Sequence, residues 1–174
     1  MVPIWILERE GIAPDDRGLQ GLVDFTLAWG YAESKIVPII DPPQRSLNLQ
    51  GFSSVIPQGN FFETNQWIES TFAEYRDRYF LSEGASNRFA GLRFAERDDD
   101  FKNEVSATFA DQNPSSQLQA RTVGFIAYRL RNNLFHGNKS LRTILDQQGL
   151  LAASAEGLRG LLVGLEPRLN PAAG

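Results

Sequence analysis

The stretch SSQLQARTVGFIAYRLRNNLFHG, Ser115–Gly137, carries a helical period through its whole length and holds the only histidine of the chain, His136. Ser115 or Ser116 can cap its start, and Gly137 is an ordinary residue at which a helix stops. At about 100° per residue, Val123, Ile126, Ala127, Leu130 and Leu134 fall on one apolar stripe. The opposite side presents Arg121, Gly124, Phe125, Tyr128, Arg131, Asn132, Phe135 and His136. A solvated face is rich in Glu, Lys and Gln, and this one is not. Large side chains on both faces predict burial on both. Two arrangements satisfy that: a central helix of one bundle, or a helix whose second face meets another copy across a two-fold axis, with room for part of that face to stay inside the bundle.

The surrounding sequence is also helical. GLQGLVDFTLAWGYAESK (18–35), FFETNQWIESTFAEYRDRYFL (61–81), SNRFAGLRFAERDDDFKNEVSATFADQ (86–112) and SLRTILDQQGLLAASAEGLRGLLVGLEPRL (140–169) all space their apolar residues with a helical period. The last is broken near Gly149 and ends around Pro167, and its glycines at 157, 160 and 164 permit close helix packing. Between the first two lies IVPIIDPPQRSLNLQGFSSVIPQGN (36–60), whose prolines at 38, 42, 43 and 57 exclude a long helix. Its many aliphatic residues predict an ordered loop over the core, with room for a short strand. The expectation is an all-α bundle of about five helices in a single domain, 1–174, with its core at about 17–169.

At 174 residues, with 42% hydrophobic and 22% charged residues, the chain has ordinary globular composition. The absence of cysteine excludes disulfides and thiolate metal sites, and one histidine excludes a His-rich metal site within one chain. No apolar run approaches the roughly 18 residues that would suggest a membrane span. The start, MVPIWILERE, does not look like a signal peptide. A soluble cytoplasmic protein with no cofactor is the expectation.

The net charge of −4 argues against non-specific coating of nucleic acid. Its distribution is uneven. Between Asp111 and Asp146 there is no acidic residue, while Arg121, Arg129, Arg131, Lys139 and Arg142 fall there. That window is +5 and the chain is −4, so the remainder carries −9. A local anion site fits this better than a broad basic surface. Arg121, Tyr128, Arg129, Lys139 and Arg142 are therefore candidate RNA contacts. The acidic run ERDDDFKNE (96–104) reads as a solvated helix face that offsets the basic region, more readily than as a divalent-ion site built from Glu96, Asp100 and Glu104.

Arg131 and His136 lie about 140° apart at ideal helical spacing, yet arginine is long and the helix ends at His136, so their polar ends can converge on one groove. Imidazole exchanges a proton near neutral pH, and guanidinium offers planar donors that match a phosphate. Those are the groups needed to cleave RNA at its own 2′-hydroxyl without a metal. Acid and base can both be histidine only if two chains contribute, which predicts a homodimer through the 115–136 helix.

RNNLFHGNK (Arg131–Lys139) resembles the signature of the HEPN superfamily: an arginine, a polar residue, then a histidine near the end of a late helix. Arg131, Asn132 and His136 match those three positions. The resemblance implies a helical bundle that dimerises around the motif helices. It also implies a metal-independent endoribonuclease of toxin–antitoxin or phage-defence settings, with an antitoxin or other neutralising protein as a further partner. Arg131 and His136 would be catalytic and Asn132 would support them. Position 138 is Asn where some members have a modifiable tyrosine, so that mode of control is not implied here. The other function class is a non-catalytic HEPN-like module that binds a nucleotide, RNA or protein partner.

Overall fold

The computed structural model describes residues 8–9, 11–13, 17–56, 62, 65–82, 84–135 and 141–170. These form an all-α bundle: α1 (Arg17–Ile36), α2 (Leu49–Val55), α3 (Gln66–Tyr79), α4 (Asn87–Ala90), α5 (Asp99–Ala110), α6 (Ser116–Phe135), α7 (Leu141–Leu145) and α8 (Gln148–Leu169). One two-stranded antiparallel pair, β1 (Phe80–Leu81) with β2 (Gly84–Ala85), links α3 to α4. Among the described residues, α1, α3, α5, α6 and α8 are the long helices, as the sequence pattern led one to expect. No helix of the described residues is long and apolar enough to cross a membrane.

Local chemistry sets the boundaries. Asn65 caps α3 by accepting from the Ile68 amide at 3.1 Å, and its Nδ2 donates to the Gly160 carbonyl of α8 at 3.0 Å. At the other end, Arg76 and Arg78 occupy the last turn of α3, where cations suit the helix dipole. The Ser115 hydroxyl accepts from the Leu118 amide at 3.3 Å and opens α6. The acidic segment resolves into α5 preceded by a single 3-10 turn, Glu96–Asp98, which separates it from α4.

One segment differs from the expectation. The proline-rich segment holds no strand among its described residues. It makes a 3-10 turn at Val37–Ile39 and then α2, where Asn48 accepts from the Gly51 amide at 2.9 Å. The segment does lie over the core: Ile40, Leu47, Leu49, Phe52, Val55 and Ile56 are buried, and the Leu47 amide is fixed to Glu33 of α1. The final helical segment breaks near Gly149 and ends near Pro167, as expected: α7 stops at Leu145, and α8 runs from Gln148 to Leu169. Pro167 has no N–H to donate one turn back, and only two helical residues follow it.

Helix α6 is the axis of the bundle, packed against α2, α3, α5 and α8, while α1 and α8 form the most extensive helix pair. Glycines allow the close approaches. A Cβ at Gly157 of α8 would stand 2.7 Å from Val123 of α6, and one at Gly160 would stand 2.8 Å from Asn65. Between α3 and α8 the buried Tyr75 hydroxyl donates to Ser154 at 2.6 Å, and Ser154 in turn donates to the Leu150 carbonyl. Burial holds the Tyr75 hydroxyl well above the ordinary phenol range.

The two-sided burial of α6 is intramolecular along most of its length. Residues 120–127 are all buried. Gly124 faces the Phe52 ring of α2, and Phe125 packs edge-on against Phe101 of α5 with centroids 5.1 Å apart. Other helices of the same chain therefore cover the second face of the wheel. A second subunit is not needed to explain it, and an interface through the whole 115–136 helix is not open. Both ends of α6 reach the surface: Ser116, Leu118 and Gln119 at its start are half-buried, and so are Tyr128, Arg129, Arg131, Asn133 and Leu134 at its end.

Candidate functional site at the end of the central helix

Burial along α6 changes at Tyr128. From there Tyr128, Arg129, Arg131, Asn133 and Leu134 are half-buried, and Asn132 is 7% exposed. The motif thus sits where the central helix emerges from the bundle. Arg131 Nη1 donates to Asn132 Oδ1 at 3.1 Å, and its guanidinium lies over the Trp29 ring of α1, 5.9 Å from the centroid. Trp29 also contacts Tyr128, with ring centroids 6.2 Å apart. The aromatic wall and the adjacent amide restrict the rotamers of Arg131, so that a planar set of donors is held in place at a partly exposed edge. His136 and Lys139 lie outside the described residues, as does the side chain of Phe135.

Of the expected RNA contacts, Arg121 is placed against that role. It is 3% exposed. Its Nε and Nη2 donate to the two carboxylate oxygens of Glu104 at 2.5 and 2.7 Å, and its Nη1 donates to the carbonyls of Ser53 and Ile56 at 3.1 and 3.0 Å. The charge is satisfied inside the bundle, where it ties α6 to α5 and to the end of α2. Such a guanidinium cannot reach a phosphate in solvent.

Arg129 is also largely committed to the protein. Its Nε donates to the Leu92 carbonyl at 2.9 Å, its Nη2 donates to the Arg93 carbonyl, and Asp98 stands 3.8 Å from its Nη1. Burial pulls its guanidinium below the ordinary arginine value, and the carboxylate of Asp98 pushes back. One turn further on, Asn133 Nδ2 donates to the Gly91 carbonyl at 3.0 Å. Three consecutive carbonyls, of Gly91, Leu92 and Arg93, are thereby held by two side chains of α6. Tyr128 is half-buried beside Trp29, and Arg142 is exposed on α7. The structure thus brings Tyr128, Arg131 and Asn132 together and separates Arg121 and Arg129 from them by function.

Asn133 escaped the sequence reading, although it stands inside the motif. Its signal was the i, i+4 spacing from Arg129, which puts both side chains on one edge of the helix. The acidic run does offset the basic region: Glu104 and Asp98 are the partners of Arg121 and Arg129. Among the described residues no group of three or more His, Cys, Asp or Glu side chains is gathered so as to hold a metal ion. A separate groove of about 600 Å³ runs between α1 and α8, past Tyr31, Lys35, Arg159 and Val163, and no residue of α6 lines it.

No family model, curated protein or solved structure matches this chain.

Proposed function

We propose that this chain is a metal-independent endoribonuclease that cleaves single-stranded RNA by attack of a 2′-hydroxyl on the adjacent phosphate. The observation that carries the reading is the placement of Arg131 and Asn132. The one buried axis of the bundle comes to the surface at the pair that opens the Arg-Asn…His motif, and Arg131 is braced there by Trp29 and Asn132. The motif's resemblance to the HEPN signature supports the same reading.

In this mechanism one His136 imidazole removes the proton of the 2′-hydroxyl, and a second protonates the departing 5′-oxygen. Arg131 donates to the non-bridging oxygens as negative charge grows on the phosphorane. Products end in a 2′,3′-cyclic phosphate and a 5′-hydroxyl. One imidazole per chain makes the two-histidine site a property of a homodimer. Because residues 120–127 are covered by the same chain, the interface we propose uses only the emergent end of α6, around Tyr128, Arg131 and Leu134. A toxin–antitoxin or phage-defence setting, with a neutralising protein partner, follows from the same resemblance.

The test is incubation of purified protein with single-stranded RNA in EDTA, beside His136→Ala and an all-deoxy substrate. Wild type should cleave the RNA and leave the DNA intact. His136→Ala should lose about 10²–10⁴-fold in rate, the span that general acid–base catalysis supplies. Cleavage that survives His136→Ala removes the mechanism. A wild type inert on varied RNAs selects the non-catalytic binding module instead.

A further inference from the structure

A second group of arginines meets in space without meeting in sequence. Arg78 at the end of α3, Arg88 in α4 and Arg93 just after it line one cleft of about 380 Å³. Asn133 of α6, Thr143 of α7 and Asp146 just after α7 also line it. Asp146 is the one carboxylate among those residues, so three cations face a single anion. None of the three arginines forms an ion pair with a described residue. Arg88 and Arg93 are exposed and Arg78 is half-buried.

The cleft is built rather than fortuitous. Arg93 has φ +54°, a left-handed conformation that favours glycine and that a non-glycine residue seldom adopts. It is kept there by α6: Arg129 donates to the Leu92 and Arg93 carbonyls, and Asn133 to the Gly91 carbonyl. Leu92 is buried and anchors the turn from below. Beneath the cleft, burial pushes the Tyr79 hydroxyl up to about 12, while Arg78, by charge and hydrogen bonding, and Arg88, by charge, pull the other way. Both guanidinium groups therefore act on one hydroxyl. The motif helix itself forms the wall, and Asn133 precedes His136 by three residues.

We propose that this cleft seats a backbone phosphate of the RNA strand, with Arg88 and Arg93 as its contacts and Arg129 and Asn133 as positioning residues. The role rests on the endoribonuclease reading. Planar donors on two exposed arginines match phosphate oxygens in paired fashion. Among the described residues the lining offers no exposed aromatic ring on which a base could stack, since Tyr79 is buried. That favours the backbone of a strand over a free nucleotide and makes the contact independent of base sequence.

The experiment uses a labelled short RNA with 2′-O-methyl groups throughout, which cannot be cleaved, and reads its binding by fluorescence anisotropy across a salt series. Arg93→Gly removes the cation and relieves the left-handed strain, so it should fold at least as well as wild type. Arg93→Gly and Arg88→Ala should each weaken binding about 5–10-fold and lower the log–log salt slope by about 0.7. Arg45→Ala, exposed and outside the cleft, should leave both unchanged. Arg93→Gly binding like wild type, with an unchanged slope, overturns the proposal. So does adenosine monophosphate binding at the cleft as tightly as the strand does, since that makes it a nucleotide site. Failure of the two readings is separable. Arginine variants that bind and cleave like wild type remove the cleft and leave the nuclease. A wild type that binds through Arg88 and Arg93 but never cleaves removes the nuclease and leaves the cleft.

Discussion

Arg121 and Arg131 stand on the same helix, and the structure uses them in opposite ways. Arg121 is enclosed, with a carboxylate across two of its nitrogens and two backbone carbonyls on a third. Arg131 lies at the surface end, over the Trp29 face and against the neutral amide of Asn132. The difference comes from what α5 brings alongside. Glu104 reaches the first half of α6 and neutralises Arg121 there, whereas Arg131 is half-buried at the far end, against Trp29 and Asn132. Charge counted along a sequence is therefore a poor guide to charge in space. The acid-free window looks like +5, but its Arg121 and Arg129 meet Glu104 and Asp98 from outside the window.

The largest effect should come from breaking the enclosed member of the pair. Arg121→Ala leaves Glu104 without its partner and the Ser53 and Ile56 carbonyls without a donor, and should cost about 3–5 kcal/mol in stability. Urea unfolding reads this directly. Cleavage per folded molecule should be unchanged. If Arg121→Ala instead kept its stability and lost RNA binding, the assignment of the two arginines would be reversed.

Arg131→Ala should show the complementary pattern. Its rate on RNA should fall about 10²–10³-fold, as expected when a donor to transition-state charge is removed. Its urea midpoint should move less than that of Arg121→Ala, because the side chain is half-buried rather than enclosed. A large loss of stability at Arg131 would make it a structural arginine like Arg121, and the proposed chemistry would lose its cation.

The same contrast shows how far the sequence could be read. Helical spacing and breaker residues were enough to locate the five long helices, because amphipathic period is a local property. Burial of α6 on both faces was legible too, but not what covers it. Phe52, which fills the space over Gly124, comes from a short helix hidden in a proline-rich segment, where four prolines outweighed the Asn48 cap. The motif residues Arg131 and Asn132 were legible by type and order. The roles of Arg121 and Arg129 were not, since each depends on a carboxylate from another segment. Nor was the cleft of Arg78, Arg88 and Arg93, which no spacing in the chain announces.

Gly124 tests which chain covers the second face. A Cβ there would stand 2.7 Å from the Phe52 ring. Gly124→Ala should therefore cost about 1–3 kcal/mol by overpacking, offset by about 1 kcal/mol from the better helix propensity of alanine. The loss should be the same at low and high protein concentration, because the clash is internal. A loss that varies with concentration would place another copy against this face.

The smallest effect separates the two carboxylates that serve α6. Glu104 meets Arg121 at 2.5 and 2.7 Å with the guanidinium almost wholly enclosed, while Asp98 stands 3.8 Å from Arg129, which keeps two backbone carbonyls as partners. A distant, partly solvated pair contributes little, so Asp98→Asn should cost at most about 1 kcal/mol. Glu104→Gln should cost clearly more, because it leaves a buried charge uncompensated. Added salt should narrow the gap between wild type and Asp98→Asn more than that of Glu104→Gln, since Arg121 is enclosed and in hydrogen-bond contact with its carboxylate while Arg129 is half-buried and 3.8 Å from its own. Equal salt responses would mean that the two pairs share one environment, and the division of α6 into an enclosed half and an emergent half would fail.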